Sequence, residues 1–174
     1  MLSQCSEAIA CAGRQQSWER VRLNCHILLA EDGPENQVLV SHYLRKAGAE
    51  VTVADNGRIA CEKVAETIGA PGAVGFDLIL MDIEMPELDG YGAAAKLRSR
   101  GYRGPIIALT ANAMATDREK CIRAGCTDYL SKPFSRELLL ETVRRHLAES
   151  PASGLAAEFP GTIPAAADCI AASK

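Results

Sequence analysis

A chain of 174 residues, 48% hydrophobic and 24% charged, fits one domain with length to spare, large enough to bury a core without metal or disulfide staples. Its net charge of −3, with 19 basic and 22 acidic residues interspersed, speaks against a nucleic-acid or anionic-membrane surface, which needs a concentrated basic patch. Seven scattered cysteines, with no C-x-x-C pair and no secretory segment ahead of them, argue against a disulfide framework or zinc site, and no apolar run approaches a membrane span.

Residues 1–24 mix small, polar and charged side chains without periodicity and read as a tail or linker. His26-Ile-Leu-Leu-Ala30 is too short for a helix and suits a buried strand. Gly33-Pro34-Glu35 opens a helix, with proline where its missing N–H does no harm. Val40, Tyr43, Leu44 and Ala47 keep helical spacing, and Gly48 ends the run. Val51-Thr-Val-Ala54 is strand-like, and Asn56-Gly57 turns into a helix carrying Ala60, Val64 and Ile68. Phe76-Asp-Leu-Ile-Leu-Met81 reads as the third strand, followed by a helix from about Asp89 to Ser99. Pro105-Ile-Ile-Ala-Leu109 is the fourth, before a helix around Asp117 to Ala124. Thr127-Asp-Tyr-Leu130 makes a short fifth strand, and Ser135 caps a last helix that buries Leu139, Leu140, Val143 and Leu147. From Ser150 the chain turns Ala-, Pro- and Gly-rich and is expected to be disordered, leaving 25–148 as the folded domain and 149–174 as a tail.

Five βα units in a row imply an α/β fold, a parallel sheet with helices on both faces, and ligands beyond the carboxyl ends of its strands. Four of those ends carry a reactive polar group: Glu31-Asp32, Asp82, Thr110 and Lys132. Each alone has a plain reading, as a loop acid, a helix cap, a strand-end hydroxyl or a solvated lysine. Together on one edge they would form an acidic pocket needing a counter-charge, because like charges push carboxyl pKa values up. Oxygen ligands without histidine or cysteine suit Mg²⁺ rather than zinc. An aspartate beside such an ion can attack phosphorus, with Lys132 and Thr110 placed to neutralise and hydrogen-bond the transferring oxygens.

Ile27-Leu-Leu-Ala-Glu-Asp-Gly-Pro-Glu-Asn-Gln37, Met81-Asp-Ile-Glu-Met-Pro-Glu-Leu-Asp-Gly90, Leu109-Thr-Ala-Asn-Ala-Met114 and Asp128-Tyr-Leu-Ser-Lys-Pro-Phe134 resemble the receiver domain of two-component signalling, most of all the receivers of hybrid sensor histidine kinases. The resemblance covers about residues 25–148. It implies a flavodoxin-like, doubly wound five-stranded sheet of order 2-1-3-4-5. It makes Asp82 the phosphoacceptor, Glu31 and Asp32 the metal-site acids, and the Glu84 backbone carbonyl a further Mg²⁺ ligand. Thr110 becomes the switch hydroxyl, Tyr129 the coupled aromatic that turns inward, and Lys132 the partner of the phosphoryl oxygens, with a cis peptide before Pro133. Gly33 departs from the asparagine common after the acidic pair, and Glu84 and Asn112 would border the route of attacking water.

The implied partner is a phosphohistidine-bearing kinase or phosphotransfer domain, and no nucleic acid or direct membrane contact is expected of this segment. His26, His42 and His146 are followed by Ile27, Tyr43 and Leu147 rather than an acid, and no Gly-rich ATP motif is present, so the chain is not expected to phosphorylate itself from ATP. The expectation is a cytoplasmic receiver belonging to a hybrid kinase whose parent is free to be membrane-anchored, with a free-standing regulator as the alternative. A haloacid-dehalogenase-type phosphatase would place its D-x-D nucleophile on the first strand, and a flavodoxin-like flavin carrier would want a glycine- and hydroxyl-rich phosphate loop there. A phosphate-independent docking domain would not need the full set of site residues.

Overall fold

A computed structural model describes residues 22–68, 75–111 and 115–149, so the expected tails fall almost wholly outside the described residues. Leu23, placed in the leading segment by sequence, is 5% exposed, and its N–H donates to the Ala47 carbonyl at 2.7 Å.

The chain runs β1 (His26–Ala30), α1 (Pro34–Lys46), β2 (Glu50–Ala54), α2 (Gly57–Thr67), β3 (Leu78–Asp82), α3 (Gly90–Ser99), β4 (Ile106–Thr110), α4 (Ala115–Arg123), β5 (Asp128–Ser131) and α5 (Arg136–Glu149). The strands pair in parallel in the order β2-β1-β3-β4-β5, the flavodoxin-like order. Alternation along each strand splits the core in two. Leu28, Ile79, Met81, Ile106 and Ala108 pack with α2, α3 and Cys121 of α4, whereas Ile27, Leu29, Leu78, Leu80, Ile107 and Leu109 pack with α1 and α5. Both faces are therefore covered, which is why the central strands β1, β3 and β4 read as almost unbroken apolar runs.

Local chemistry sets the boundaries. Asn56 caps α2 by accepting from Ile59 N–H at 2.8 Å, Asp89 caps α3 by accepting from Gly92 N–H at 2.7 Å, and Ser135 accepts from Leu138 N–H at 3.1 Å. Helices α1, α3 and α4 end alike. A glycine in the left-handed region (Gly48, Gly101, Gly125) lets the next N–H bond back to the carbonyl five residues earlier. The pairs so joined, Leu44 with Ala49, Leu97 with Tyr102 and Cys121 with Cys126, are all buried.

Several expected boundaries move. The third strand starts at Leu78 rather than Phe76, because the Asp77 carboxylate accepts from His26 N–H at 2.7 Å and Phe76 packs on the His26 ring, centroids 4.5 Å apart. The fourth starts after Pro105, which has no N–H for a ladder, although its carbonyl still accepts from Ile79 N–H at 3.0 Å. Helix α4 begins before Asp117, and Ile68 caps α2 instead of joining its buried stripe, remaining 42% exposed.

Arg98, near the end of α3, reaches across to the α4–β5 corner. Its guanidinium donates to the carbonyls of Gly125 (2.8 Å), Tyr102 (2.9 Å) and Gly104 (2.7 Å) and to Thr127 Oγ1 (3.2 Å). The Tyr102 hydroxyl donates to the Phe76 carbonyl at 3.1 Å, closing the same end of the molecule.

Candidate functional site

The carboxyl ends of β1, β3, β4 and β5 bring together the residues singled out by sequence. Glu31 and Asp82 follow the alternation that points Ile27, Leu29, Leu78 and Leu80 towards α1 and α5, and both are buried, at 1% and 5% exposed. Lys132, just past β5, spans them: its Nζ donates to Glu31 Oε2 at 2.7 Å and to Asp82 Oδ2 at 2.6 Å. Asp32 stands exposed at the rim, and one oxygen from each of Glu31, Asp32 and Asp82 lies within 4.8 Å of the others. Gly90 explains how the β3–α3 loop closes under this cluster. A Cβ there would collide with the Asp82 carbonyl and Ile83 Cα, so only glycine lets α3 start against the strand end.

Burial raises the Asp82 pKa above the ordinary carboxyl value and the charge of Glu31 adds to it, against the opposing pull of Lys132. For Lys132 burial works downward, but its hydrogen bonds and charge pairing with Asp82 and Glu31 outweigh it and hold the ammonium above its usual value. The site thus keeps one cation among three carboxylates. A second, divalent cation fits the remaining negative charge, and three hard oxygen donors this close suit Mg²⁺.

The other expected residues sit around this centre. Glu84 is exposed, and its N–H donates to Asp82 Oδ1 at 3.3 Å. Thr110 ends β4 next to the acceptor strand, where Asp82 is in register with Leu109, and its carbonyl accepts from Lys132 N–H at 2.7 Å. Alternation puts Thr110 on the sheet face of Ile106 and Ala108, the face on which half-buried Tyr129 packs. Those two therefore share a side opposite to Glu31 and Asp82. The Lys132–Pro133 peptide is cis. Asn112 lies outside the described residues.

Three residues without an assigned role turn out to support the site. Asn36 Nδ2 donates to Glu31 Oε1 at 2.8 Å, and Gln37 Nε2 donates to the Glu31 carbonyl at 2.6 Å and to Asp55 Oδ1 at 3.0 Å. Asn56 Nδ2 donates to Glu87 Oε1 at 2.9 Å, bracing the loop after Asp82. The asparagine–glutamine pair five and six residues past a buried acid was the available signal for the first two. Beside the pocket, a recess of about 310 Å³ opens between α1 and the β5–α5 loop, lined by Leu39, Val40, Pro133 and Phe134 as well as Glu31, Asn36 and Lys132. A larger one of about 610 Å³, between Arg22–Cys25 and the end of α5, contains none of the site carboxylates.

A buried carboxylate flanked by a lysine and two further acids can act as a nucleophile or hold a cation, and similarity to known proteins narrows the choice. Residues 27–144 match the family described as "Response regulator receiver domain". The chain is 36% identical over 145 residues to "Hybrid signal transduction histidine kinase I" of Dictyostelium discoideum, covering 79% of this chain and 8% of that protein. It is 35% identical over 136 residues to the signal transduction histidine-protein kinase BarA of Escherichia coli (strain K12), covering 77% and 14%. The chain therefore spans only a small part of either kinase. Among solved structures, the receiver domain of sensor histidine kinase PA1611 from Pseudomonas aeruginosa PAO1, which has a magnesium ion coordinated in its active-site cleft, is 42% identical with a TM-score of 0.63, covering 71% of this chain and 98% of that one. On this family match and this fold, the chain belongs to the response regulator receiver domains of two-component signalling.

Proposed function

We propose that Asp82 accepts a phosphoryl group from a phosphohistidine and that the new charge redirects one face of the domain. The observation carrying this reading is Lys132 Nζ held at 2.6 Å from Asp82 and 2.7 Å from Glu31, with Asp32 completing the oxygen cluster at the rim. An Asp82 carboxylate oxygen attacks phosphorus as the donor's P–N bond breaks. The bonding pair stays on the imidazole nitrogen, which takes its proton from water. Lys132 follows the charge from the two carboxylates onto the arriving phosphoryl oxygens. Asp32, Asp82, the Glu84 carbonyl and Glu31 would hold Mg²⁺, which supplies neutralisation of the oxygens in transfer. The magnesium-bearing relative supports the choice of ion.

Thr110 then turns its hydroxyl to the phosphoryl group, and Tyr129, on the same sheet face, moves inward into the space released. The surface of α4, β5 and α5 changes with them, biasing a two-state equilibrium. The donor is a phosphohistidine-bearing kinase or phosphotransfer domain. Exposed Leu39 on α1, which lines the recess beside Lys132, offers it an apolar approach, with Val38 on α1 and Leu138 on α5 as further exposed apolar residues. The hybrid kinases among the relatives favour a hybrid-kinase parent over a free-standing regulator. The setting is the cytoplasm, where such donors draw on ATP. No helix among the described residues is long and apolar enough to cross a membrane.

Intact mass after incubation with acetyl phosphate tests the assignment. Wild type should gain one hydroxylamine-labile phosphoryl group with Mg²⁺ and none with chelator, and Asp82→Asn should gain none. Failure with both acetyl phosphate and a phosphohistidine donor would leave a phosphate-independent docking domain.

A further inference from the structure

Gly33, where the resemblance leads one to expect asparagine, bears on the site through space rather than through backbone conformation. Its φ of −77° and ψ of 113° suit any residue. A Cβ built on it, however, would lie 3.1 Å from Glu31 Oε1 and 3.2 Å from Asn36 Nδ2, crowding the 2.8 Å hydrogen bond between them. That bond commits one oxygen of a buried carboxylate. Gln37 grips the carbonyl of the same residue and ties it to Asp55 beyond the end of β2, so Glu31 is held at both backbone and side chain. With Oε1 engaged by Asn36, Oε2 is the atom that meets Lys132. A glutamate has several rotatable bonds, and nothing in its own covalent structure makes it present one oxygen rather than two.

We propose that Asn36 and Gly33 are positioning residues of this site. Asn36 holds Glu31 so that a single oxygen serves the cation pocket, and Gly33 leaves that hold uncrowded. The inference rests on the Mg²⁺-dependent phosphorylation of Asp82 proposed above. Neither residue contacts the acceptor; both act through Glu31. Freed from Asn36, the Glu31 carboxylate can rotate and engage Lys132 through either oxygen, drawing the ammonium from Asp82 and blurring the cation site. Partners that orient a ligating carboxylate typically matter by about ten- to a hundredfold in metal affinity.

The test is calorimetric titration of the unphosphorylated protein with Mg²⁺, for wild type, Asn36→Ala, Gly33→Ala and the double variant, with melting temperature in chelator as a fold control. Asn36→Ala should weaken Mg²⁺ about tenfold, Gly33→Ala should weaken it by less, and the double variant should be no worse than Asn36→Ala, because both changes act on the same hydrogen bond. In the ion-free protein, the Asn36 side-chain amide resonances should move on Gly33→Ala as they do on Glu31→Gln. Single variants that bind Mg²⁺ like wild type would overturn the proposal, and so would strictly additive losses in the double variant. If Gly33→Ala fails to fold, Asn36→Ala and the amide resonances on Glu31→Gln still decide. A wild type that neither binds Mg²⁺ nor gains a phosphoryl group would remove the underlying reading instead, and the two failures are thereby distinguished.

Discussion

Glu87 holds a left-handed backbone, φ 65°, directly across from Asn56, whose side-chain amide donates to Glu87 Oε1 at 2.9 Å. Since Asn56 also caps α2, one buried amide joins the start of that helix to the loop that follows Asp82. A left-handed non-glycine residue costs on the order of 1 kcal/mol. The Arg58 contact to Glu87 Oε2 at 2.7 Å is half exposed and contributes little against it. Glu87→Ala keeps the strain and loses the tie, and should destabilise by about 1 kcal/mol in urea unfolding. Glu87→Gly loses both and should lie close to wild type. The reverse order of the two variants would show that the backbone strain is not what the tie offsets.

Asp82 carries a linked prediction about pH and Mg²⁺. Burial first, then the charge of Glu31, raises its pKa from the ordinary 3.8. A carboxyl with a raised folded-state pKa binds its proton more readily folded than unfolded. Its ionised form therefore lowers stability above the folded pKa, and this loss fades as pH falls towards the unfolded value. Asp82→Asn should melt above wild type at neutral pH in chelator, with the gap closing towards about pH 4. Mg²⁺ at ten times its Kd should stabilise wild type by about 1.4 kcal/mol. An equal gain in Asp82→Asn, read by scanning calorimetry, would remove that carboxylate from the cation site.

At Asp128, which starts β5, the sign reverses. Burial would raise the Asp128 pKa, but hydrogen bonds from His146 and the Tyr129 N–H, with the charges of His146 and Arg145, hold it below the ordinary 3.8. Its Oδ2 meets Arg145 at 2.6 Å and His146 Nε2 at 2.9 Å, tying β5 to α5. A depressed carboxyl contributes stability that is present above the unfolded pKa and lost as pH falls through the folded one. Asp128→Asn should cost about 1 kcal/mol near neutrality, allowing for solvent screening, and progressively less below about pH 4. A difference that stayed constant down to pH 2, by acid titration of far-UV circular dichroism, would contradict this.

The three central strands were legible because each is a short apolar run with nowhere polar to face, and the edge strands β2 and β5, which keep polar residues, were legible from their place between helical stretches. Boundaries failed where a side chain or a missing N–H replaced the ladder, as at Asp77 and Pro105. Glu31, Asp82 and Lys132 were legible as polar residues at strand ends, a place that parallel topology turns into one pocket. Asn36, Asn56 and Glu87 were not. The Asn56–Glu87 contact joins residues 31 apart in sequence and depends on a left-handed φ that no composition announces. Leu23 was missed for a different reason: a lone apolar residue in an irregular segment has no period, and only the Ala47 carbonyl shows where it docks.

The staple made by Arg98 fixes the geometry of any motion at α4. That helix is anchored at its C-terminal end, where the Gly125 carbonyl is bound by Arg98 and Cys121 lies buried beside Cys126. A Cβ on Gly125 would even strike the Arg98 side chain, so the corner is closed to repacking as well as hydrogen-bonded. Any reorientation of α4 would turn about that end as a fulcrum, with the end nearer Thr110 as the moving arm of the lever. A small displacement at the end of β4 would then be largest at the start of α4 and die away towards Arg98.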